Sequence, residues 1–186
     1  MPSWGDTLEA VMRERGGALF AYAYVLTGNA DDAQDLVQEA LVRAFRRRGA
    51  PQGIDPAHAY VKRAMQTAFI DAHRRAKARP QRDDREADRI APDHAPATDT
   101  LDALMDAVTS LPPRERTCIV MRYLDGLSAQ AIAHELGLAP GSVRRYLHDG
   151  IATLRRTHGD FGLEPADAVS GGADHHVIVT TKGGTR

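Results

Sequence analysis

The chain has 186 residues, enough for one domain of ordinary size or two small ones, and its 42% hydrophobic content supports packed cores. Aromatic residues make up only 5%, so the cores must be built from aliphatic side chains, which favours helices. The formal net charge of -1 excludes a uniformly basic nucleic-acid binder, so any such affinity must come from local patches.

The sequence predicts a cytoplasmic protein. Its single cysteine, Cys118, lies in the run CIVM, where we expect a buried thiol without a disulfide partner in a reducing compartment. The N-terminus lacks a basic start followed by an apolar run, and no stretch of about 18 consecutive apolar residues occurs. We therefore expect neither export nor membrane insertion.

Helical spacing of apolar residues predicts a first helix over 7–26, interrupted at Gly16–Gly17 and ended by residues 27–29. Asn29 is placed to cap a second helix that opens on aspartates and closes on arginines, which complements the helix dipole. Apolar pairs recur every four residues along this helix. Its outer face carries Asp35, Gln38, Glu39, Val42 and Arg43. Considered alone, such a face is most simply a solvated surface.

A third helix is expected from Asp55 to about Arg75, after a loop rich in glycine and proline. Residues 60–79 contain six Lys or Arg and one Asp, so phosphate is the natural counterpart. Gln66 and Thr67 add side chains that hydrogen-bond unpaired bases. A run of charge can also simply keep a helix end soluble. The side chains expected to face outward include Lys62, Arg63, Gln66, Thr67, His73, Arg74 and Arg75.

Residues 80–100 change character, with three arginines against six acids, three prolines and no apolar period, which predicts a flexible linker. Helical spacing resumes at Leu101 and breaks at Leu111-Pro112-Pro113, where the prolines suit the first turn of the next helix. That helix is expected to run from Arg114 to Leu124, before Asp125-Gly126.

Residues 127–156 predict two short helices joined by a tight turn. Ser128 can cap the first helix, and Gly137 supplies its left-handed stop. An apolar stripe on the second helix faces a core and consists of Val143, Leu147, Ile151 and Leu154. The surface left near the start of that helix carries Ser142, Arg144, Arg145 and His148.

A helix-turn-helix protein places such side chains against base edges and phosphates, because Arg pairs with guanine and Ser bonds either a donor or an acceptor. An ordinary helical hairpin with a solvated basic face is the alternative for these thirty residues alone. The tail over 159–186 loses periodicity and is expected to be mobile. Its adjacent His175 and His176 lack a thiol or carboxylate at ligand spacing, so we predict no metal site and no cofactor.

The order of these pieces, QDLVQEALVRAF, then AYVKRAMQTAFIDAHRR, then a linker and the segment 111–156, resembles an extracytoplasmic-function RNA polymerase sigma factor of actinobacterial type. The resemblance covers about Leu19 to Arg156. It implies an all-α protein with a region-two-like domain over 5–79, a linker over 80–100 and a region-four-like domain over 101–158, and it leaves the tail over 159–186 outside. The implied function is a non-catalytic promoter-specificity subunit that directs core RNA polymerase to minus-ten and minus-thirty-five elements.

The resemblance also implies partners and residue roles. The clamp helices of the largest polymerase subunit would contact the second helix, at Asp35, Gln38, Glu39 and Arg43. The minus-ten element, with one flipped base, would be held by Lys62, Arg63, Gln66, Thr67, His73, Arg74 and Arg75. The minus-thirty-five element would be read in the major groove by Ser142, Arg144, Arg145 and His148. The polymerase flap and an anti-sigma protein complete the implied set of partners.

Three departures from the family pattern concern promoter choice and melting. The aromatic residue common in the minus-ten helix is absent, with Ala59 and Ala72 at the corresponding places, and Gln66 stands where the family commonly has asparagine. Asp149-Gly150 replaces a common arginine-alanine pair. A glycine inside a helix should cost about 1 kcal/mol relative to alanine.

Two rival functions use the same residues differently. A stand-alone helix-turn-helix regulator would bind an operator tightly without polymerase, but the sequence shows neither a sensor domain nor a dimer surface. An enzyme would have to use His58, Asp71, His73, Asp93 and His94, which come with no phosphate loop, nucleophile motif or metal spacing. On the sigma interpretation, each domain binds DNA weakly alone, and the acidic linker discourages binding by the free protein.

Overall fold

The computed structural model describes residues 3–46, 53–78 and 99–159. Within these ranges the chain is helical and forms no strand, which confirms the predicted all-α fold class. The helices are α1 Trp4–Thr27, α2 Ala30–Phe45, α3 Ile54–Ala78, α4 Asp99–Ser110, α5 Pro113–Tyr123, α6 Ala129–Leu136 and α7 Pro140–His158. The predictions for the linker up to residue 98 and for the tail from residue 160 lie outside the described residues.

Helices α1, α2 and α3 form a first bundle. Ser3 caps α1, since its Oγ accepts from Asp6 N at 3.2 Å while Ser3 N donates to Asp6 Oδ2 at 2.8 Å. The interruption predicted at Gly16–Gly17 is wrong, because α1 runs unbroken through both glycines. Val11 before them and Leu19 after them are buried in the same core, so tertiary packing outweighs the poor helix propensity of glycine.

The connection between α1 and α2 follows the sequence closely. Gly28 ends α1 in the left-handed conformation, with φ of 87°, and its N–H donates to Tyr24 O at 2.7 Å. Asn29 caps α2 as predicted, because its Oδ1 accepts from Asp32 N at 2.8 Å. Helix α3 ends at Ala78, three residues beyond the expected Arg75.

Helices α4 to α7 form a second bundle that contains the predicted helix-turn-helix. Ser128 caps α6 through a 3.1 Å bond from Ala131 N, and Gly137 ends it with φ of 64°, as expected. The predicted apolar stripe of α7 is at most 5% exposed at Val143, Leu147, Ile151 and Leu154. Cys118 is buried in this core as a free thiol, and burial raises its pKa to about 12, so it stays protonated at neutral pH.

The two bundles pack against each other in the described structure. Val108 and Val120 of the second bundle belong to the apolar core of the first. The buried Arg116 guanidinium donates to Leu26 O at the end of α1 at 2.6 Å, and also to the Thr109 carbonyl in α4. At Gly28 an added Cβ would lie 2.7 Å from Thr109 Cγ2, so the Thr109 side chain packs too close to this backbone for a larger residue. We call this arrangement the closed form.

Glycine at position 150 has a packing reason. An added Cβ there would lie 3.1 Å from Ile119 Cγ1, so the missing side chain lets α7 approach α5. The intrinsic cost of a helical glycine is therefore offset by a contact between the two helices that form the centre of the second bundle. The sequence alone indicated that Gly150 weakens the helix, but it did not indicate the contact of α7 with Ile119 on α5.

This contact predicts opposite outcomes for two glycine substitutions. Gly17→Ala, where an added Cβ meets nothing within 4 Å, should raise the free energy of unfolding by about 0.5 to 1 kcal/mol. Gly150→Ala carries the same intrinsic gain but must displace Ile119, so we expect no gain or a net loss. Urea unfolding followed by circular dichroism measures both, and equal stabilisation by the two variants would contradict the close packing of α5 and α7.

Candidate nucleic-acid interface

The predicted reading residues lie together on α7, opposite its buried stripe. Arg144, Arg145 and His148 are exposed and Ser142 is half-buried, all within the first turns of the helix. The Arg145 guanidinium lies 5.5 Å from the Tyr146 ring centroid, which holds it in a cation–π contact. This surface presents charged donors at the helix start, the part of a recognition helix that meets base edges.

The outer face of α2 combines charge with one exposed apolar side chain. Asp35 and Gln38 are exposed, and Val42 is 52% exposed between the half-buried Glu39 and Arg43. Arg43 Nη2 donates to Glu39 Oε1 at 2.7 Å. This face therefore places one exposed apolar side chain among polar and charged ones.

Ion pairs continue from α2 onto the C-terminal half of α3. Arg43 Nη1 lies 3.6 Å from Asp71 Oδ2, and Arg75 Nη2 donates to Glu39 Oε1 at 3.4 Å. A cleft of about 290 Å³ lies between the two helices, with Asp35 and Glu39 on one wall and His73 on the other. The predicted polymerase face and the exposed end of α3 are therefore one continuous surface.

The middle of α3 contacts the second bundle at Lys62 and Gln66. Gln66 is only 2% exposed, and its Nε2 donates to Tyr22 Oη at 2.7 Å and lies 3.3 Å from Asp125 Oδ2. Tyr22 Oη in turn donates to Asp125 Oδ2 at 2.8 Å, and Lys62 Nζ forms an ion pair with Asp125 Oδ1. The prediction that Gln66 faces outward is wrong for the closed form, because the turn between α5 and α6 supplies its partner.

This buried cluster is held by charge and by a protonated phenol. Lys62 Nζ also lies 4.4 Å from the Tyr22 ring centroid. Burial, and then the neighbouring Asp125 carboxylate, raise the pKa of Tyr22 well above its ordinary value. The phenol therefore remains a hydrogen-bond donor to Asp125 at any physiological pH.

The seven residues predicted to bind the minus-ten element are thus divided by the structure. Arg63 joins Lys62 and Gln66 against the second bundle, since its Nε donates to Glu135 O at 3.2 Å. The half-exposed Thr67 donates its hydroxyl to backbone carbonyls of its own helix. The remaining three, which are exposed near the C-terminal end of α3, are His73, Arg74 and Arg75.

Three residues central to this arrangement were not predicted as functional. Asp125 was interpreted only as a helix end, Tyr22 only as a core position, and Arg116 was not singled out. The sequence signal for Arg116 was a cation within the apolar stretch of α5. In the structure Arg116 is 8% exposed, and desolvation lowers its pKa to about 10. Nothing local marks Asp125 or Tyr22, because their partners lie on other helices.

The enzyme alternative gains no geometry from the described residues. Asp71 pairs with arginines, and the His73 ring packs against the Phe69 ring with centroids 4.5 Å apart. No group of three His, Cys, Asp or Glu in the described ranges is placed to hold a metal ion. Asp93 and His94 lie outside those ranges. Among the described helices, none combines the length and the apolarity needed to cross a membrane.

These features define a class: an all-α protein whose second bundle carries a helix-turn-helix with an exposed, arginine-bearing helix. Comparison with known proteins refines it. The family model described as Sigma-70 region 2 matches residues 11–79, and the one described as Sigma-70, region 4 matches residues 101–154. The first match falls on the first bundle and the second match on the second bundle.

Two relatives extend the comparison over most of the chain. The chain is 33% identical over 164 residues to the ECF RNA polymerase sigma factor SigE of Mycolicibacterium smegmatis, covering 83% of this chain and 61% of that relative. It is 32% identical over 166 residues to the ECF RNA polymerase sigma factor SigL of Mycobacterium tuberculosis, covering 84% and 91%. The chain belongs to the extracytoplasmic-function RNA polymerase sigma factors, which are initiation factors and not known enzymes.

A solved structure shares the fold. The sigma factor RpoE in complex with the anti-sigma factor NepR from Bartonella quintana matches with a TM-score of 0.53 at 22% identity. The match covers 80% of this chain and 92% of that one. At this identity the likeness supports the helical architecture alone.

The buried cluster predicts the effect of removing one hydroxyl. Tyr22→Phe takes a donor from Asp125 and an acceptor from Gln66, so the free energy of unfolding should fall by about 1 to 2 kcal/mol. Tyr146→Phe is the control, because its hydroxyl accepts a long 3.5 Å bond from Arg114, and it should change stability less. Urea unfolding compares the two, and a smaller loss for Tyr22→Phe would contradict the role of the cluster.

Proposed function

We propose that this sigma factor binds core RNA polymerase through α2, holds the unpaired minus-ten element on α3, and reads the minus-thirty-five element with the first turns of α7. The observation that carries the proposal is the exposed Arg144 and Arg145 surface, backed by a buried stripe, within the segment that matches region 4. The setting is the cytoplasm, where transcription takes place.

The α7 assignment rests on chemistry and on accessibility. An α-helix fits the major groove of B-form DNA, where arginine makes two-pronged bonds to guanine and serine bonds either a donor or an acceptor. Arg144 and Arg145 are exposed in the closed form, so no rearrangement of the second bundle is needed before duplex contact. His148 extends the same surface by about one turn and lies 3.2 Å from Asp149 Oδ1.

The α2 assignment rests on the exposed Val42 with Asp35, Gln38, Glu39 and Arg43 around it. An apolar centre burying against a partner supplies affinity, while the charged rim fixes register and orientation. Because the Glu39–Arg43 pair already joins the helix turns, these side chains lose little freedom on binding. A coiled coil on the polymerase would offer the complementary apolar seam and charges.

The α3 assignment rests on its excess of positive charge and on the position of Gln66. The cations contact the phosphates of a melted strand, and an amide bonds the exposed edge of a flipped base. An anti-sigma protein, the partner named for the matched solved structure, would act by covering the α2 and α3 surfaces. A stand-alone regulator would instead bind duplex sites tightly without polymerase.

The α7 proposal predicts a loss confined to duplex recognition. Arg144→Ala or Arg145→Ala should weaken binding to a minus-thirty-five duplex by about 1 to 3 kcal/mol if a base contact is lost. Loss of a phosphate contact should instead reduce, by about one, the slope of the logarithm of the binding constant against the logarithm of the salt concentration. Run-off transcription with core polymerase across a genomic library identifies a promoter, and a duplex with its minus-thirty-five sequence serves as the probe. Anisotropy at two salt concentrations measures binding to this duplex.

Arg156→Ala is the matched control for this experiment. It removes an exposed arginine from the same helix, but at the far end from the first turns. Its binding should stay close to that of the unaltered protein. Equal losses at all three positions would mean that α7 contributes only general charge.

The α2 proposal predicts a specific loss of polymerase affinity. Val42→Glu places a charge at the centre of the patch and should weaken association with purified core polymerase by at least about tenfold. Phe20→Glu is the control, since Phe20 is a comparably exposed apolar residue, at 40%, on α1. Both variants should keep the unfolding curve of the parent, and an unchanged affinity for Val42→Glu would remove α2 from the interface.

A further inference from the structure

The face of α3 that carries Lys62, Arg63 and Gln66 is occupied by oxygen atoms of the second bundle. The Asp125 carboxylate binds the first and third of these, and the Glu135 carbonyl in the last turns of α6 accepts from Arg63. A carboxylate and a carbonyl at the negative end of a helix offer cations what a phosphate oxygen offers. The second bundle therefore presents to α3 the chemistry of a nucleic-acid backbone.

The closed form leaves Gln66 only partly satisfied. Its Nε2 has two partners, but its Oε1 is buried without a hydrogen-bond partner. A buried acceptor without a donor costs free energy, and an unpaired base offers the amide both a donor and an acceptor. The internal ligand is thus a poorer match for the Gln66 amide than a base, so a base can displace it.

The other two proposed surfaces stay exposed in the closed form. Asp35, Gln38 and Val42 on α2 face solvent, and so do Arg144 and Arg145 on α7. Closure therefore occupies Lys62 and Gln66 in the middle of α3 and leaves both the proposed polymerase patch and the proposed duplex-reading patch available. The three surfaces of this sigma factor are not masked together.

Simple lengths show that the closed form does not span a promoter. Elements named for positions ten and thirty-five lie about 25 base pairs apart, or about 85 Å at 3.4 Å per pair. A compact particle of 186 residues has a radius of gyration of about 16 Å. The roughly 20 residues from 79 to 98 reach at most about 70 Å when fully extended, enough to separate the bundles. Engagement of both elements requires opening.

We propose that Asp125, on the turn between α5 and α6, is an internal ligand of α3 that occupies the minus-ten site and excludes unpaired DNA until the bundles separate. The inference rests on the proposed role of α3 in binding the minus-ten element. It adds a competition: one carboxylate and one DNA strand bind the same Lys62 and Gln66. Opening breaks the Lys62–Asp125 pair and frees both side chains at once.

The test uses the full chain with Asp125→Asn, which keeps the shape of the side chain and removes its charge. Asp106→Asn is the matched control, because it makes the same charge change on an exposed position of α4 in the same bundle. Small-angle scattering measures the radius of gyration, and anisotropy measures binding of a labelled single-stranded DNA of mixed sequence. Asp125→Asn should enlarge the particle and tighten DNA binding by roughly tenfold, while Asp106→Asn matches the parent.

A second variant tests whether the gain in DNA binding depends on Lys62. Adding Lys62→Gln to Asp125→Asn should keep the enlarged particle and abolish the gain in DNA binding, because the freed cation is gone. If Asp125→Asn stays as compact as the parent, the inference is overturned and the proposed function is untouched. If the particle enlarges and DNA binding does not change, Asp125 does not compete with DNA, and the minus-ten role of α3 fails with it.

Discussion

One buried carboxylate, Asp125, joins the second bundle to α1 and α3. The Asp125 side chain is only 9% exposed. Its carboxylate forms an ion pair with Lys62 and accepts hydrogen bonds from Tyr22 and Gln66. A buried charge without partners is expensive, so each of these donors is needed once the carboxylate leaves water. Arg116 makes a second contact of opposite charge, because this buried cation donates to carbonyl oxygens of both bundles. The packing of the two bundles therefore depends on buried charged groups that keep their partners.

This coupling gives a physical source for the weak DNA binding that we expect of the free protein. The near-neutral net charge and the acidic linker suggested that charge outside the domains discourages binding. The closed form adds a local cause, because Lys62 and Arg63 in the middle of α3 already bind oxygens within the chain. Arg74 and Arg75 near its C-terminal end also have acidic partners, Asp71 and Glu39. These exposed pairs contribute little stability, so they chiefly orient the side chains.

The outer face of α2 and the C-terminal half of α3 are physically continuous. Arg43 on α2 pairs with Asp71 on α3, and Glu39 on α2 pairs with Arg75 on α3. The middle of α3 contacts the second bundle instead, through Lys62 and Gln66. The same helix therefore contacts α2 near its C-terminal end and the second bundle at its middle.

The sequence by itself determined what depends on neighbours within a few residues. Asn29, Ser128 and Gly137 act as caps because each bonds within its own helix end, and the stripe of α7 follows from a 3.6-residue period. The tertiary structure alone decided the continuity of α1 through its glycines, the burial of Gln66 and the role of Asp125. The burial of Gln66 and the role of Asp125 depend on partners 44 to 103 residues away, and local spacing carries no information about which distant side chain will meet a given one.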